Sequence, residues 1–438
     1  MLYNRESLGD RGISTLSSIR CDKFKSSVIT FSMTLPLTKE AVAHNLLLSG
    51  LMRRGTKKHP SMSELNRTLD ELYGSYVEIR SSHLGDNLSL IISAEILDDK
   101  YIPDGTDVLG GVINVISDLI LHPLIKEPSF SEKTFLQEKK VILDNIKAIK
   151  NNTRSYAVSR CSELLREGAS SYPTSEELMN IVEGITFEQT LDHYNSLIEK
   201  APLNVFYIGS TDASQIKKKI ASLLSSYPCK AEQQVIPLRA YKRKNLLELN
   251  EKMSVTQGKL ALGFSTGVHI SQTDDRYYTA LMLNEIFGGS ASSKLFLNLR
   301  EKMGLCYYCS SSFSIYTGIM MVSSGIEVNK RELVKKAVLD QLSEIASGNI
   351  SPQELEMARR SIANSYRQIY DTPFDIQSFY SGRSFFGITD TIEICEQKLL
   401  KVSAEEISEL ASQVTLDAAF FVEGTGGNND FEEDCEND

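Results

Sequence analysis

The clearest sign of catalytic chemistry in a sequence would be histidines and carboxylates at the spacing of a metal site. This chain of 438 residues has six histidines, and they do not have that spacing. They stand at positions 44, 59, 83, 122, 193 and 269. A helix that holds catalytic zinc places two imidazoles one turn apart, with a carboxylate that deprotonates the bound water. No two of these histidines are three, four or five residues apart. The sequence therefore excludes a local zinc pair, and a site assembled from distant histidines stays open as the weaker alternative.

Two of the seven cysteines, Cys306 and Cys309, form a CxxC pair. No second pair accompanies them, as a four-thiolate zinc site would need. The surrounding residues predict a strand, in which positions three apart face opposite sides. We therefore interpret the pair as packed or incidental, in preference to a metal or redox site.

A guanidinium and a phenol lie seven residues apart, as Arg300 and Tyr307 in the segment LREKMGLCYY. Both groups donate hydrogen bonds, so together they could hold a peptide carbonyl or carboxylate and stabilise a developing oxyanion. The alternative is structural: Arg300 forms an ion pair at the end of a helix, and Tyr307 is a half-buried strand residue. Taken alone, the two residues favour this structural alternative.

Other catalytic signatures are missing from the sequence. The segment Gly288–Ser292 (GGSAS) lacks the second glycine of a GxSxG nucleophile elbow, and no strand directly precedes it. Neither a GxxxxGK[ST] phosphate loop nor a GxGxxG dinucleotide fingerprint occurs. Nothing in the sequence therefore supports a serine hydrolase or a nucleotide-binding protein.

The composition is ordinary for a soluble globular protein, with 41% hydrophobic and 24% charged residues. The net charge is −10, and the tail Asp430–Asp438 contains six acidic residues, so the rest of the chain carries a net charge of only about −4. This charge argues against a nucleic-acid partner. Polar residues interrupt the apolar stretch Val108–Ile125, so no membrane span is expected. The N-terminus has no apolar leader and the cysteines are odd in number and scattered, which favours the cytoplasm.

The order of predicted elements occurs twice along the chain. In each half an apolar strand precedes a helix, and a second helix runs through a glycine turn into a strand. An alternating strand, two long helices and a closing apolar strand follow. The matching features are Ser26–Leu37 with Gly258–Val268, Gly74 with Gly304, Asn87–Ile96 with Gly318–Val328, and Gly209 with Gly424. We predict an α+β fold of two duplicated domains, each an antiparallel sheet with helices packed on one face.

The expected domain boundaries follow from this repeat. Residues 1–230 form the N-terminal domain and residues 252–425 the C-terminal domain. The polar segment 231–251 is the linker between them. Residues 426–438 form an acidic tail that is expected to be disordered.

The second half resembles the zinc peptidases of the pitrilysin/insulinase family. Its segment FGGSASSKLFLNLREKMGLCYYCSSS is similar to their pattern GGxxSSRLFxxLREKxGLxYxxxS, and RGTKK and LYGSYVEIRSSHLGDNLSL carry the resemblance in the first half. The resemblance covers about Asn4 to Gly424 and implies the fold of the mitochondrial processing peptidase. It also implies that substrate peptide is bound by Arg300, Tyr307, Gly288 and Gly289. For the two glycines, a simple helix C-cap is an equally open alternative.

Active members of this family carry an HxxEH motif on their first catalytic helix, and a glutamate on a later helix completes the zinc site. Aligning on the turn Gly55-Thr56 identifies the corresponding positions here, the last of them seven residues after Glu138. These degenerate metal-site positions are Leu46, Ser49, Gly50 and Asn145. None of these side chains offers an imidazole or a carboxylate, so we expect no metal, no cofactor and no catalytic residue.

In paired enzymes of the family, one subunit carries HxxEH and its sister keeps only the Arg/Tyr pair. The resemblance therefore implies a non-catalytic, zinc-less subunit that forms a heterodimer with an HxxEH-bearing sister and binds substrate peptide beside the sister's zinc. It is closest in character to a Gram-positive subfamily associated with modification of elongation factor P. The alternative is a purely structural or assembly protein of the same fold, without a role in proteolysis. An active enzyme with a different metal site is a third, weaker possibility.

Overall fold

The computed structural model describes residues 3–8, 14–127, 130–168 and 170–426. The acidic tail expected at 426–438 thus lies, from residue 427 onward, outside the described residues. In chain order the strands are β1 (Tyr3–Leu8), β2 (Ser14–Arg20), β3 (Ser26–Pro36), β4 (Tyr76–Leu84), β5 (Asn87–Leu97), β6 (Leu203–Gly209), β7 (Leu247–Met253), β8 (Gly258–Ser265), β9 (Cys306–Ser314), β10 (Ile319–Ile326) and β11 (Thr415–Gly424).

The helices, also in chain order, are α1 (Lys39–Met52), α2 (Met62–Glu71), α3 (Val108–Leu121), α4 (Glu132–Ala148), α5 (Thr153–Arg166), α6 (Ser175–Gly184), α7 (Phe187–Lys200), α8 (Ala213–Ser226), α9 (Arg276–Asn284), α10 (Arg331–Ala346), α11 (Pro352–Gln368), α12 (Pro373–Phe385), α13 (Ile392–Leu400) and α14 (Ala404–Gln413). Two π-helical segments, Glu285–Gly289 and Leu295–Lys302, follow α9.

The chain forms two compact units, and each unit takes most of its residues from one half of the sequence. The first comprises Met1–Lys147, Ser171–Pro237 and Ile369–Gly387. The second comprises Ala148–Ser170, Leu238–Gln368 and Ile388–Asp438. Each unit therefore contains one short segment from the other half, whereas the sequence prediction had contiguous domains.

The sheets of the two units repeat the same arrangement. The first sheet has the order β1-β2-β6-β3-β5-β4 and the second β7-β11-β8-β10-β9, so five strands correspond one to one and β1 is an addition. All neighbouring strands are antiparallel except β2 with β6 and β7 with β11, which run parallel. The predicted α+β fold of two duplicated domains is confirmed, and one strand pair in each otherwise antiparallel sheet runs parallel.

The turns that lead from the second helix of each half into its strand are also equivalent. Gly74 and Gly304 have φ angles of 69° and 59°. These left-handed conformations carry a steric penalty for residues with a Cβ. The glycine turn is therefore a local feature that both halves encode directly in their sequence.

The core of the first unit lies between the sheet and a layer of helices. The helix α1 contacts β4 and β5, and α3 contacts β5. In α3 eight residues are buried, which explains why the apolar stretch at Val108–Ile125 is so long: it forms a central core helix. No helix among the described residues combines the length and apolar character required to cross a bilayer.

A helix also covers the other face of each sheet, where the sequence prediction had helices on one face only. The helix α12 contacts β3 and β6, and α5 contacts β8, β10 and β11. Under α5, the side chains of Cys161 and Leu165 form a buried cluster with Ala261 and Phe420. Strands β8 and β10 are consequently buried along their whole length, as expected for strands covered on both faces.

The segment predicted as the linker, 231–251, is irregular up to residue 246 and then enters β7 at Leu247. Part of the irregular segment is attached to the first sheet, since the Ile236 N–H donates to Asn87 Oδ1 at 2.8 Å. Strand β7 lies at a sheet edge and exposes three of its polar residues, so its sequence resembles that of a loop.

Candidate functional site

The helix α1, which would carry a zinc motif in an active relative, is a regular buried helix. Thr38 caps its N-terminus, with the side-chain oxygen accepting from the Ala41 N–H at 3.1 Å. Leu46, Ser49 and Gly50 are half-buried on its C-terminal half. The Ser49 hydroxyl donates to the carbonyl of Leu46 at 2.7 Å, so its hydrogen-bonding capacity is used inside the helix.

An ion pair lies where the side chain of residue 50 would extend. Glu138 of α4 is buried, and its Oε1 accepts from the Nε of Arg54 at 2.6 Å and also from Arg54 Nη2. A Cβ added to Gly50 would overlap Oε2 of the same carboxylate. Glu138, which matches a glutamate of the family, therefore neutralises Arg54 and fills the space beside Gly50.

The distal ligand position does not complete a metal site. Asn145 is exposed on α4, about two turns after Glu138. Among the described residues, no group of three or more His, Cys, Asp or Glu side chains is close enough to hold a metal ion. The residues at the four degenerate positions thus lack the donor set of a zinc centre.

Two histidines meet between α1 and α7, although they lie far apart in the sequence. The rings of His44 and His193 stack with centroids 5.0 Å apart and planes 16° apart. His193 Nε2 donates to Asn45 Oδ1 at 2.9 Å, and His44 Nδ1 lies 3.3 Å from the Thr190 hydroxyl. Burial, together with the neighbouring His44, lowers the pKa of His193 to about 4, so the pair is neutral near pH 7.

Arg300 and Tyr307 lie on consecutive elements of the second unit. Arg300 is in the π-helical segment Leu295–Lys302, where its guanidinium stacks 4.8 Å from the ring centroid of Phe296 and is 3.6 Å from the Glu301 carboxylate. Its side chain is 43% exposed. Tyr307, in the edge strand β9, is 55% exposed. Both donors are accessible to a molecule outside this unit.

A β-bulge at Tyr307 shapes this end of β9. Tyr308 pairs with Gly325 of β10, but Cys306 pairs with Ile326, so Tyr307 is the extra residue. The ring of Tyr308 packs where a side chain of Gly325 would be, and the guanidinium of Arg154 lies 4.2 Å above it. A hydrogen bond from Cys309, with a further contribution from the positive charge of Arg300, lowers the pKa of the Cys306 thiol.

Gly288 and Gly289 end the π-helical segment after α9. Gly288 is buried, and a Cβ there would lie 2.7 Å from Ser311 Oγ and 2.8 Å from the Ser311 backbone nitrogen. Gly289 is exposed. Neither glycine has the positive φ of a Schellman or αL cap, so close approach to β9, and not capping, explains the glycine at 288. Their predicted role in peptide binding stays a prediction.

Sequence reasoning did not find the Arg54–Glu138 ion pair, the stacked histidines or the bulge. For the ion pair a signal existed, because Glu138 matches a glutamate of the family and Arg54 lies in the turn that follows α1. The other two depend on which residues meet across the fold, and spacing along the chain gives no sign of them.

Residues 184–362 match the family model described as the peptidase M16 inactive domain. Over 434 residues the chain is 29% identical to the "Probable inactive metalloprotease YmfF" of Bacillus subtilis (strain 168), covering 98% of this chain and 100% of that protein. It is also 23% identical over 323 residues to the "Uncharacterized zinc protease YmxG" of the same organism, covering 72% of this chain and 75% of that protein.

Solved structures show the same likeness. A conserved protein from Enterococcus faecalis V583 superposes with a TM-score of 0.86 at 26% identity, covering 95% of this chain and 97% of that one. The peptidase M16 inactive domain from Pseudomonas fluorescens superposes with a TM-score of 0.76 at 15% identity, covering 98% of this chain and 100% of that one. At this identity the likeness supports the fold alone.

Proposed function

Because the chain belongs to the M16 peptidase family and is by itself an inactive homologue, we propose that it is the zinc-less subunit of a two-subunit metallopeptidase. In this proposal an HxxEH-bearing sister supplies the metal, and this chain binds the substrate peptide beside it. The two chains form a heterodimer.

One contrast between the two halves carries the proposal. At the metal-site positions of α1, the chemistry is lost and an ion pair fills the space beside Gly50. On the second unit, Arg300 and Tyr307 keep exposed hydrogen-bond donors at the edge of a sheet. A purely structural role would not require these donors to be accessible.

The chemistry of these donors suits a peptide. The guanidinium of Arg300 is a planar fork that matches a carboxylate or a polarised carbonyl, and the Tyr307 phenol adds a neutral donor. Strand β9 is at a sheet edge, where an extended peptide can add as a further strand. Gly288 permits the close packing that fixes β9 against the preceding π-helical segment.

Two further parts of the proposal rest on the sequence alone. A cytoplasmic location rests on the odd number of scattered cysteines. An association with modification of elongation factor P rests on the family resemblance alone and stays a prediction.

The test is reconstitution with an HxxEH-bearing sister subunit. Arg300→Ala should lower peptide cleavage on the order of 10²-fold, because a charge-assisted donor aimed at a reacting carbonyl is lost. Arg300→Lys should restore only part of the activity, since an ammonium cannot reproduce the fork. Tyr307→Phe should give an intermediate loss. Arg360→Ala, on the exposed face of α11, is the matched control and should cleave at the wild-type rate.

Assembly is measured in parallel by analytical ultracentrifugation, and all variants should form the complex. If every Arg300 and Tyr307 variant cleaves at the wild-type rate in a confirmed complex, the alternative of a purely structural subunit is correct. Elemental analysis of the isolated chain should find no stoichiometric zinc. About one zinc per chain, with matching peptidase activity, would instead support an active enzyme with a different metal site.

A further inference from the structure

The β-bulge at Tyr307 brings two thiols to the same side of β9. Cys306 is opposite Ile326 and Cys309 is opposite Ser324, and these two partners are alternate residues of β10. Alternate residues of a strand face the same side. In a regular strand, positions three apart face opposite sides, and the sequence interpretation of this CxxC pair depended on that rule. Because β9 has an extra residue at Tyr307, Cys306 and Cys309 instead face the same side.

The bulge also shortens the distance between the two cysteines. Their cross-strand partners are two residues apart, which corresponds to about 7 Å along a strand. Disulfides bridge Cα atoms that are roughly 4.4–6.8 Å apart. A bond between Cys306 and Cys309 therefore requires only a small contraction of β9, and the resulting bridge would be strained and easily reduced.

The two thiols differ in access and in acidity. Cys306 is half-buried, and Cys309 is 3% exposed. A hydrogen bond from Cys309 lowers the pKa of Cys306, with further lowering by Ser324 and by the positive charge of Arg300. The same hydrogen bond, together with burial, raises the pKa of Cys309. An accessible thiol in an electropositive setting beside a buried thiol is the arrangement of an attacking and a resolving cysteine.

We propose that Cys306 and Cys309 form a peroxide-reactive dithiol that closes reversibly to a disulfide. The Cys306 thiolate attacks one oxygen of the peroxide, which breaks the O–O bond and gives a sulfenic acid and hydroxide. The sulfur of Cys309 then attacks the sulfenic sulfur and forms the S–S bond, and its proton leaves with the hydroxyl as water. Two electrons pass from the two sulfurs to the peroxide.

Closure would change the setting of Tyr307, because the bridge encloses Tyr307 and Tyr308. An effect on peptide binding through Tyr307 rests on the proposed function. The thiol chemistry does not, and it can be tested on this chain alone.

The experiment uses the full chain with Cys229→Ser and Cys435→Ser, which removes one partly exposed thiol and one outside the described residues. The remaining cysteines are Cys21, Cys161, Cys306, Cys309 and Cys395, of which only Cys306 is not buried. After hydrogen peroxide treatment and alkylation, the tryptic peptide Met303–Lys330 contains both thiols. It should lose two hydrogen atoms and resist alkylation, and dithiothreitol should reverse both changes.

Two variants define the roles. Cys309→Ser should accumulate a sulfenic acid at Cys306 that dimedone traps, whereas the parent with both thiols should not. Cys306→Ser should leave Cys309 reduced. Arg300→Gln should slow the oxidation of Cys306 severalfold, because the positive charge that favours the thiolate is removed.

The proposal is overturned if Cys306 in Cys309→Ser reacts no faster than Cys229 in the wild-type chain. Dimedone labelling of the parent with both thiols, without a disulfide, would overturn it equally, since it would mean that Cys309 does not resolve. Should the variants fail to fold, the peptide map of the parent protein decides by itself. A disulfide that forms without changing cleavage in a reconstituted complex would support the dithiol and remove only its link to Tyr307.

Discussion

At the scale of single residues, a buried ion pair occupies the space beside the metal-site position Gly50. Gly50 leaves room beside α1, and the buried carboxylate of Glu138 fills that room while pairing with Arg54. A buried charge that loses its partner or its space is costly, so this arrangement resists change. A side chain introduced at position 50 would have to displace this carboxylate first.

Gly50→Ala should destabilise the protein by at most about 2 kcal/mol, because the new Cβ overlaps Glu138 Oε2 and displaces the buried carboxylate, against about 1 kcal/mol that alanine gains over glycine in a helix. Gly184→Ala is the matched control: a Cβ there, at the end of α6, meets nothing within 4 Å. It should be neutral or slightly stabilising. Urea unfolding measures both variants. In a Glu138→Ala background the cost of Gly50→Ala should largely disappear, and an unchanged cost would contradict the proposed overlap.

The stacked histidines predict an acid sensitivity of the fold. The pKa of His193 falls from the usual 6.5 to about 4 on folding, so between these values the unfolded chain binds a proton that the folded chain does not. Stability should be unaffected by this group above pH 6.5 and should fall as the pH drops to about 4. At about 1.4 kcal/mol per pKa unit, the loss reaches about 3 kcal/mol.

His193→Gln keeps a donor for Asn45 and removes the titration, so its free energy of unfolding should depend less on pH in this window. Denaturant titrations at pH 7, 6, 5 and 4.5 measure the difference from wild type. Leu136→Ala, at an exposed position without a titratable group, is the control and should keep the wild-type slope. Parallel curves for wild type and His193→Gln would refute the effect of burial.

At the scale of elements, the helices α5 and α12 have equivalent roles in the two units. Each comes from one half of the sequence and covers the second face of the sheet built from the other half. Strands β8 and β10 are buried along their whole length, as expected for strands that are covered on both faces. The helix α5 is therefore a part of the second unit's core and not a surface addition.

Leu165→Ala should consequently destabilise the protein by about 2–5 kcal/mol, since this fully buried side chain of α5 packs against Gly263 of β8. Leu136→Ala, on the exposed face of α4, is the control and should change stability by less than about 0.5 kcal/mol. Both are measured by urea unfolding. Equal effects of the two substitutions would mean that α5 contributes no core.

At the scale of the whole molecule, the two exchanged segments tie the halves of the chain together. A cut between the halves leaves Ala148–Ser170 on the first fragment, although it belongs to the second unit. It leaves Ile369–Gly387 on the second fragment, although it belongs to the first unit. Each fragment alone would thus lack a helix that its main sheet requires.

A protease site inserted between Lys230 and Ala231, which are both exposed, should therefore give a nicked protein that remains one particle. On size-exclusion chromatography the two fragments should elute together in native buffer and separate only in denaturant. An uncut chain with the same insertion is the control. Two separate native peaks would contradict the exchange of segments.

The sequence by itself determined the order of the elements and the duplication. Strand and helix patterns are local, so Ser26–Leu37 and Gly258–Val268 predicted β3 and β8, and Gly74 and Gly304 marked the turns. The chemistry that a side chain lacks is also fixed by its identity, as at Leu46 and Asn145.

Only the tertiary structure decided which distant groups meet. The pairing of Glu138 with Arg54, the stacking of His44 on His193 and the covering of β8 by α5 join residues far apart in the chain. The bulge at Tyr307 depends on the register of β9 against β10, and a single extra residue there reverses which side each later side chain faces. Neighbours along the chain determine local conformation, whereas burial, charge pairing and register are properties of the folded contacts.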